Sequence, residues 1–281
     1  MLGSGMAGTV FVDTTKGRNT VKRLTYVMAA LLALGLAAGT AEAQMRKVLI
    51  GTEGAYPPFN SIDPNGELVG FDVDIAKALC EVAQFECEFV VQDWDGMIPG
   101  LIAKKYDAII ASMSITEERK EKVDFTGKYY NTPAMFAATK GTTFEFTADG
   151  LAGKVIGAQR ATIHENFLRD NFPNADIRVY ATQDEANADL AAGRLDLVLA
   201  DSVALDEGFI KTEGGACCEL VGSGYSDPKW FGEGAGIAIR KGEQDLVEAF
   251  NAAIKTIRED GTYKAINDKY FAFDVYGEAG M

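Results

Sequence analysis

Histidine is almost missing from this chain: one residue, His164, in 281. With four cysteines beside it, there are too few soft ligands to expect four of them to converge on a metal. Proline is scarce at 7 residues and hydrophobic residues make up 47%, which excludes a disordered chain. Basic residues are outnumbered, 27 against 41 acidic, for a formal charge of −14. A chain so charged is not built to hold nucleic acid or anionic lipid electrostatically. No G-x-S-x-G, H-E-x-x-H or phosphate-cradling loop occurs, so neither a catalytic residue nor a cofactor is expected. Long apolar runs are absent too, save one near the start that falls short of the ~20 residues of a membrane span.

That early run is part of an address. Lys16, Arg18, Lys22 and Arg23 form a basic region, Tyr26 to Ala38 is apolar, and Ala41-Glu42-Ala43 is a small-x-small cleavage site before Gln44. Residues 1–43 therefore read as a secretory signal peptide, and the mature protein as soluble outside the cytoplasm. Cysteines can pair there. Cys80, Cys87, Cys217 and Cys218 allow three pairings. A bridge between Cys80 and Cys87 would close a short loop at a helix end and contribute about 2–3 kcal/mol. The adjacent Cys217 and Cys218 could form a vicinal disulfide, stay free or pair between chains.

The stretch Asp107 to Arg119 organises the rest. Ala108 to Ala111 reads as a buried strand, giving out at Ser112-Met113-Ser114. Two hydroxyls two residues apart share a side if the backbone stays extended. Thr116 is a good helix N-cap, followed by Glu117 and Glu118 in the first turn. Arg119 comes next, and its planar fork suits a carboxylate. In α/β folds ligands sit beyond the carboxyl ends of strands, where this stretch lies.

Helical spacing predicts helices over Phe71 to Ala83, Met97 to Lys104, Ile163 to Asn171, Asp184 to Ala192, Gln244 to Glu259 and Thr262 to Tyr270. Strands are predicted at Arg46 to Gly51, Glu86 to Val91, Val123 to Thr126, Met135 to Thr139, Lys154 to Gly157, Asp196 to Asp201 and Ala235 to Arg240. A weak repeat aligns Leu101 to Ser112 with Leu190 to Asp201: helix end, basic residue, Asp, apolar strand, polar terminus. The fold class expected is α/β, two lobes with mostly parallel sheets and a shared cleft. Lobe 1 would take 44–130 plus 235–281 and lobe 2 would take 135–225. Hinge crossings would fall at 131–134 and 226–234.

These residues describe one ligand. Arg119, Ser114 and the N–H groups near Thr162 would take a carboxylate, while Asp201 and Ser112 would take an ammonium. That is the head of an α-amino acid. Tyr56 and Trp94 offer flat faces for its side chain, and Glu53 with Asp72 puts negative charge nearby, so a cationic side chain fits. His164 reads as a surface residue.

The chain resembles the periplasmic solute-binding proteins of polar amino-acid ABC importers, most closely the lysine/arginine/ornithine- and histidine-binding group. The resemblance is carried by Gly51-Thr-Glu-Gly-Ala-Tyr-Pro-Pro-Phe59, Gly66 to Asp74, Asp107 to Arg119, Gly193 to Asp201, and Asp260-Gly-Thr-Tyr263 through Phe271. It implies a two-lobed (Venus-flytrap) clamp with a Cys80–Cys87 disulfide. It also implies a monomer in the periplasm that serves an inner-membrane permease with a cytoplasmic ATPase. Tyr56 and Trp94 would sandwich the ligand side chain. Glu53 stands where the group usually has Asp, Ala111 where a Ser is common, and Arg160-Ala161 where Gly and a hydroxyl residue are usual. Cys217-Cys218 has no counterpart. Cyclohexadienyl dehydratases resemble the same scaffold, with Glu53 or His164 as the acid such an enzyme would need. Opine carriage, or presentation of ligand to a sensory partner, are the other readings.

Overall fold

Among the described residues, two five-stranded sheets and a small three-stranded one hold the strands, and the backbone passes between the two larger sheets twice. The computed structural model describes residues 45–277, together with Met1, Gly5 and 8–11. The basic region, the apolar run and the cleavage site of the leader lie outside the described residues. Among the described residues no helix is long and apolar enough to cross a membrane.

The strands are β1 (Arg46–Thr52), β2 (Ala55–Tyr56), β3 (Asn60–Ile62), β4 (Leu68–Val69), β5 (Phe85–Val91), β6 (Ala108–Ile109) and β7 (Val123–Tyr130). After the first crossing come β8 (Ala134–Thr139), β9 (Val155–Gln159), β10 (Asp176–Tyr180), β11 (Leu197–Asp201) and β12 (Cys218–Tyr225), and β13 (Ala235–Arg240) returns. The helices are α1 (Phe71–Ala83), α2 (Met97–Ile102), α3 (Glu117–Lys120), α4 (Ile163–Asn171), α5 (Gln183–Ala191), α6 (Ser202–Leu205), α7 (Pro228–Phe231), α8 (Gln244–Glu259) and α9 (Thr262–Tyr270).

The two sheets are built to one plan, β5-β1-β6-β13-β7 and β10-β9-β11-β8-β12. In each, four strands run the same way and only the fourth in that order, β13 or β8, is antiparallel to both its neighbours. The sheets are thus mostly parallel, as the βα alternation suggests, and the crossings supply the one reversed strand of each. Strands native to a lobe point their carboxyl ends at the cleft. β8 and β13 come from the other lobe, start at the cleft and run away from it.

The repeat read in the sequence has a structural basis. Asp107 accepts the Leu49 N–H at 2.9 Å and returns its own N–H to the Leu49 carbonyl at 2.8 Å. Asp196 does the same with Val155, at 2.8 Å both ways. Each aspartate locks the strand that follows it against a parallel neighbour, β1 in the first lobe and β9 in the second, so the ends of β6 and β11 arrive at equivalent places.

α1 shows why the first lobe holds together. Its buried face, including Ile75, Ala76 and Leu79, recurs at helical spacing and packs toward Phe250, Ile254 and Ile257 of α8. Gly70 precedes it at φ +130°, where a Cβ would stand 2.2 Å from the Phe59 carbonyl oxygen, so only glycine fits. A Cys80–Cys87 disulfide ties its last turn to β5. The second lobe packs Phe136, Ile156, Leu168 and Leu199 into its own core.

Candidate functional site

On the first lobe, the segment after β6 builds most of the wall. Ser112 sits at φ +56°, a left-handed backbone that costs a non-glycine residue about 1–2 kcal/mol. Its N–H donates to the Tyr129 hydroxyl at 3.0 Å, and its own hydroxyl donates to Asp72 Oδ2 at 2.9 Å. With its proton committed, the Ser112 oxygen has only lone pairs left to offer, which suits an ammonium. Thr116 caps the following turn by accepting the Arg119 N–H at 3.3 Å. The Arg119 guanidinium is thereby turned inward, 8% exposed, donating to the Ser114 carbonyl at 3.0 Å and lying 5.3 Å over the Trp94 ring. Burial lowers its pKa to about 10, and no carboxylate among the described residues forms an ion pair with it.

On the second lobe, Thr162 caps α4. Its hydroxyl donates to the Gln159 carbonyl at 2.7 Å and accepts the Glu165 N–H at 3.2 Å. The side chain is therefore spent on the cap, and the first-turn N–H groups are the donors left without an intrahelical partner. Asp201 ends β11 and caps α6, accepting the Val203 and Ala204 N–H groups at 2.8 and 3.3 Å. The Thr132 hydroxyl in the first crossing donates to its other oxygen.

Two adjoining cavities lie between the lobes and share Tyr56, Ser112, Ser114, Ile163 and His164 as walls. Glu53, Trp94, Arg119, Gln159 and Thr162 help to line the first, and Asp201 and Thr132 the second. Of the residues singled out in the sequence, Glu53, Tyr56, Trp94, Ser112, Ser114, Arg119, Thr162 and Asp201 all reach this cleft. Asp72 does not. It is fully buried behind Ser112, where Tyr129, Asn60 and Ser112 donate to it at 2.8, 2.9 and 2.9 Å. It fixes Ser112 rather than facing the cavity.

His164 corrects a second expectation: it lines both cavities instead of the surface. It is the second residue of α4, beside a buried arginine. Burial and the Arg119 charge lower its pKa to about 3, so the ring is neutral. Gln159, Ile163 and Thr132 were not legible as wall residues. Thr162 as an N-cap after a strand was the available signal for Ile163 and His164.

Burial raises the carboxyls here. Desolvation lifts Glu53 to about 7, although Gln159 Nε2 donates to it at 2.5 Å, and lifts Asp201 and Asp72 to about 6. A raised carboxyl favours the protonated folded state. Its stabilisation is present below the ordinary value of 4.5 for Glu53 and is lost as pH rises through about 7. Glutamine mimics the protonated form at every pH. Glu53→Gln is expected to match the wild-type protein in stability near pH 4 and to exceed it by about 2–3 kcal/mol near pH 8. Denaturant melts of the ligand-free proteins at the two pH values measure this, and equal stabilities at pH 8 would contradict it.

The architecture has known counterparts. The family model of bacterial extracellular solute-binding proteins, family 3, matches residues 48–273. An L-arginine-binding protein of Pseudomonas aeruginosa is 50% identical over 234 residues, 83% of this chain and 90% of the relative. The lysine/arginine/ornithine-binding periplasmic protein of Escherichia coli is 40% identical over 260 residues, 92% of this chain and 100% of the relative. A solved Salmonella typhimurium periplasmic binding protein of high arginine specificity aligns with a TM-score of 0.75 at 33% identity, covering 81% of this chain and 100% of that one. A match over nearly all the described residues, with relatives matched over most of their own length, establishes that the chain belongs to the bacterial extracellular solute-binding proteins, family 3.

Proposed function

We propose that this protein captures an α-amino acid with a cationic side chain, arginine, lysine, ornithine or histidine, in the periplasm and delivers it to an ABC importer. The observation that carries the reading is a charge arrangement. Among the described residues, a buried guanidinium without a carboxylate partner and a buried carboxylate without a cationic partner stand on opposite lobes, bounding adjoining cavities. Each is costly alone and is relieved by one end of a zwitterion.

In this reading Arg119, Ser114 and the first-turn N–H groups of α4 hold the α-carboxylate. Asp201 and Ser112 hold the α-ammonium, with Asp72 behind Ser112 polarising its oxygen. Tyr56 and Trp94 flank the side chain, and Glu53 meets its cationic end. Around Glu53 the acids Asp93, Asp95 and Asp184 add negative potential, which favours a cationic over a neutral side chain. The lobes, 44–130 plus 235–281 and 135–225, close about the crossings at 131–134 and 226–234. Cleavage falls near Ala43, and the mature protein works as a monomer against a permease with a cytoplasmic ATPase.

The dehydratase reading loses support because the relatives are named as binding proteins; of its two candidate acids, neutral His164 is a poor proton donor, whereas Glu53, raised to about 7, keeps a proton to give. A thermal-shift screen tests the proposal. A ligand bound only by the native state adds about 2.7 kcal/mol at 100 times its Kd. Arginine, lysine, ornithine and histidine are expected to raise the midpoint, and glutamine far less. No shift with any basic amino acid, or turnover of arogenate, would overturn it.

A further inference from the structure

Arg160 departs in charge from what the cationic end of a ligand needs. It sits between Gln159 and Thr162, both in the wall, yet its positive charge opposes a cationic ligand. Its backbone is held fast. The Arg160 N–H donates to the Tyr180 carbonyl at 2.8 Å, and the Ala161 N–H donates to Glu165 at 2.7 Å. From this fixed base the guanidinium crosses to the other lobe, where Nε and Nη2 donate to Asp95 Oδ2 at 3.0 and 2.6 Å. Asp95 follows Trp94, which itself donates to the Ala161 carbonyl at 3.0 Å, and Gln159 donates to Glu53 at 2.5 Å.

Three consecutive residues of the second lobe thus bond to the first lobe, and only the middle one does so through an ion pair at the solvent-facing rim, with side chains 49% and 41% exposed. Separating the lobes breaks all three contacts. We propose that Arg160 and Asp95 are positioning residues, a rim latch that touches no ligand and slows ligand escape by holding the lobes together. The latch rests on the capture reading above, and the two can fail separately. If wild-type protein binds no basic amino acid, that reading fails; if it binds and the latch variants release at the wild-type rate, only the latch fails.

The sign of the effect separates the latch from plain electrostatics. Removing a cation near a cationic ligand would, by Coulomb attraction alone, tighten binding. The latch requires the opposite. Stopped-flow release of arginine from Arg160→Gln is expected to be about two- to five-fold faster than from wild type, the range of an exposed ion pair. The association rate should be unchanged or higher. Added salt should quicken release from wild type, by screening the bridge, and barely alter it in Arg160→Gln. Arg160→Lys, which keeps the charge and loses the fork, should fall between them. Release from Arg160→Gln at or below the wild-type rate, or an equal response of its release to salt, would overturn the latch. Unchanged unfolding midpoints of the empty variants separate this from general destabilisation.

Discussion

Arg119→Ala is expected to abolish measurable binding of basic amino acids while leaving the empty protein folded. The guanidinium is buried against Trp94 and donates to the Ser114 carbonyl, and even with its pKa lowered to about 10 it stays charged at neutral pH. Without it, an incoming α-carboxylate would give up its water for a site with a missing cation. Leaving one partner of a buried pair uncompensated costs about 3–5 kcal/mol, a loss of at least about a hundred-fold in affinity. The empty protein behaves differently. Among the described residues this charge has no ion pair to lose, so its removal forfeits one hydrogen bond and some packing and also relieves a desolvated charge. The unfolding midpoint should shift by only a few degrees. Calorimetric titration with arginine and a melt of the same sample measure both. Near-normal affinity would remove Arg119 from the site. Lost binding with a collapsed midpoint would make it a structural residue.

Much of the fold could be read in advance because local signals agreed with tertiary demands. α1, α4, α8 and α9 carry an apolar stripe between clear ends, and the structure starts and stops them where periodicity did. The shortfalls have physical causes. β10 is an edge strand, mostly exposed, so Asp-Ile-Arg-Val-Tyr lacks a buried face strong enough to stand out. β12 is bulged and contains Gly222 and Gly224, residues that read as loop.

The site followed a similar division. Strand-end hydroxyls and isolated charges such as Ser112, Arg119 and Asp201 betray themselves locally, because burying them needs a reason. Gln159, Thr132 and His164 gain their roles only from what the opposite lobe brings near, and no local spacing encodes that. Asp72 shows the reverse failure. An acid in the first turn of a helix near the cleft looked available, but three donors already surround it.

Asp201→Asn tests the other end of the ligand, and it is cleaner than alanine for a structural reason. Asp201 Oδ1 caps α6 through the Val203 and Ala204 N–H groups. Alanine would lose that cap, at about 1 kcal/mol, and confuse binding with folding. Asparagine keeps an acceptor for the cap but turns an N–H donor toward the place proposed for the ammonium, where donor would face donor. A loss of about 2–5 kcal/mol in affinity is expected, for arginine, lysine and ornithine alike, since all carry the same head group. Glu53→Gln, by contrast, should penalise ligands by side-chain charge and spare the head group. The pH dependence adds an independent check. Wild-type Asp201, raised to about 6 by burial, must be ionised to pair with an ammonium, so affinity falls as pH drops through that value. Asparagine cannot titrate, so in Asp201→Asn whatever affinity remains should lose this component of the acid decline. If the variant binds arginine as tightly as wild type at pH 7, the ammonium is held elsewhere, and the two-ended grip on the zwitterion is wrong.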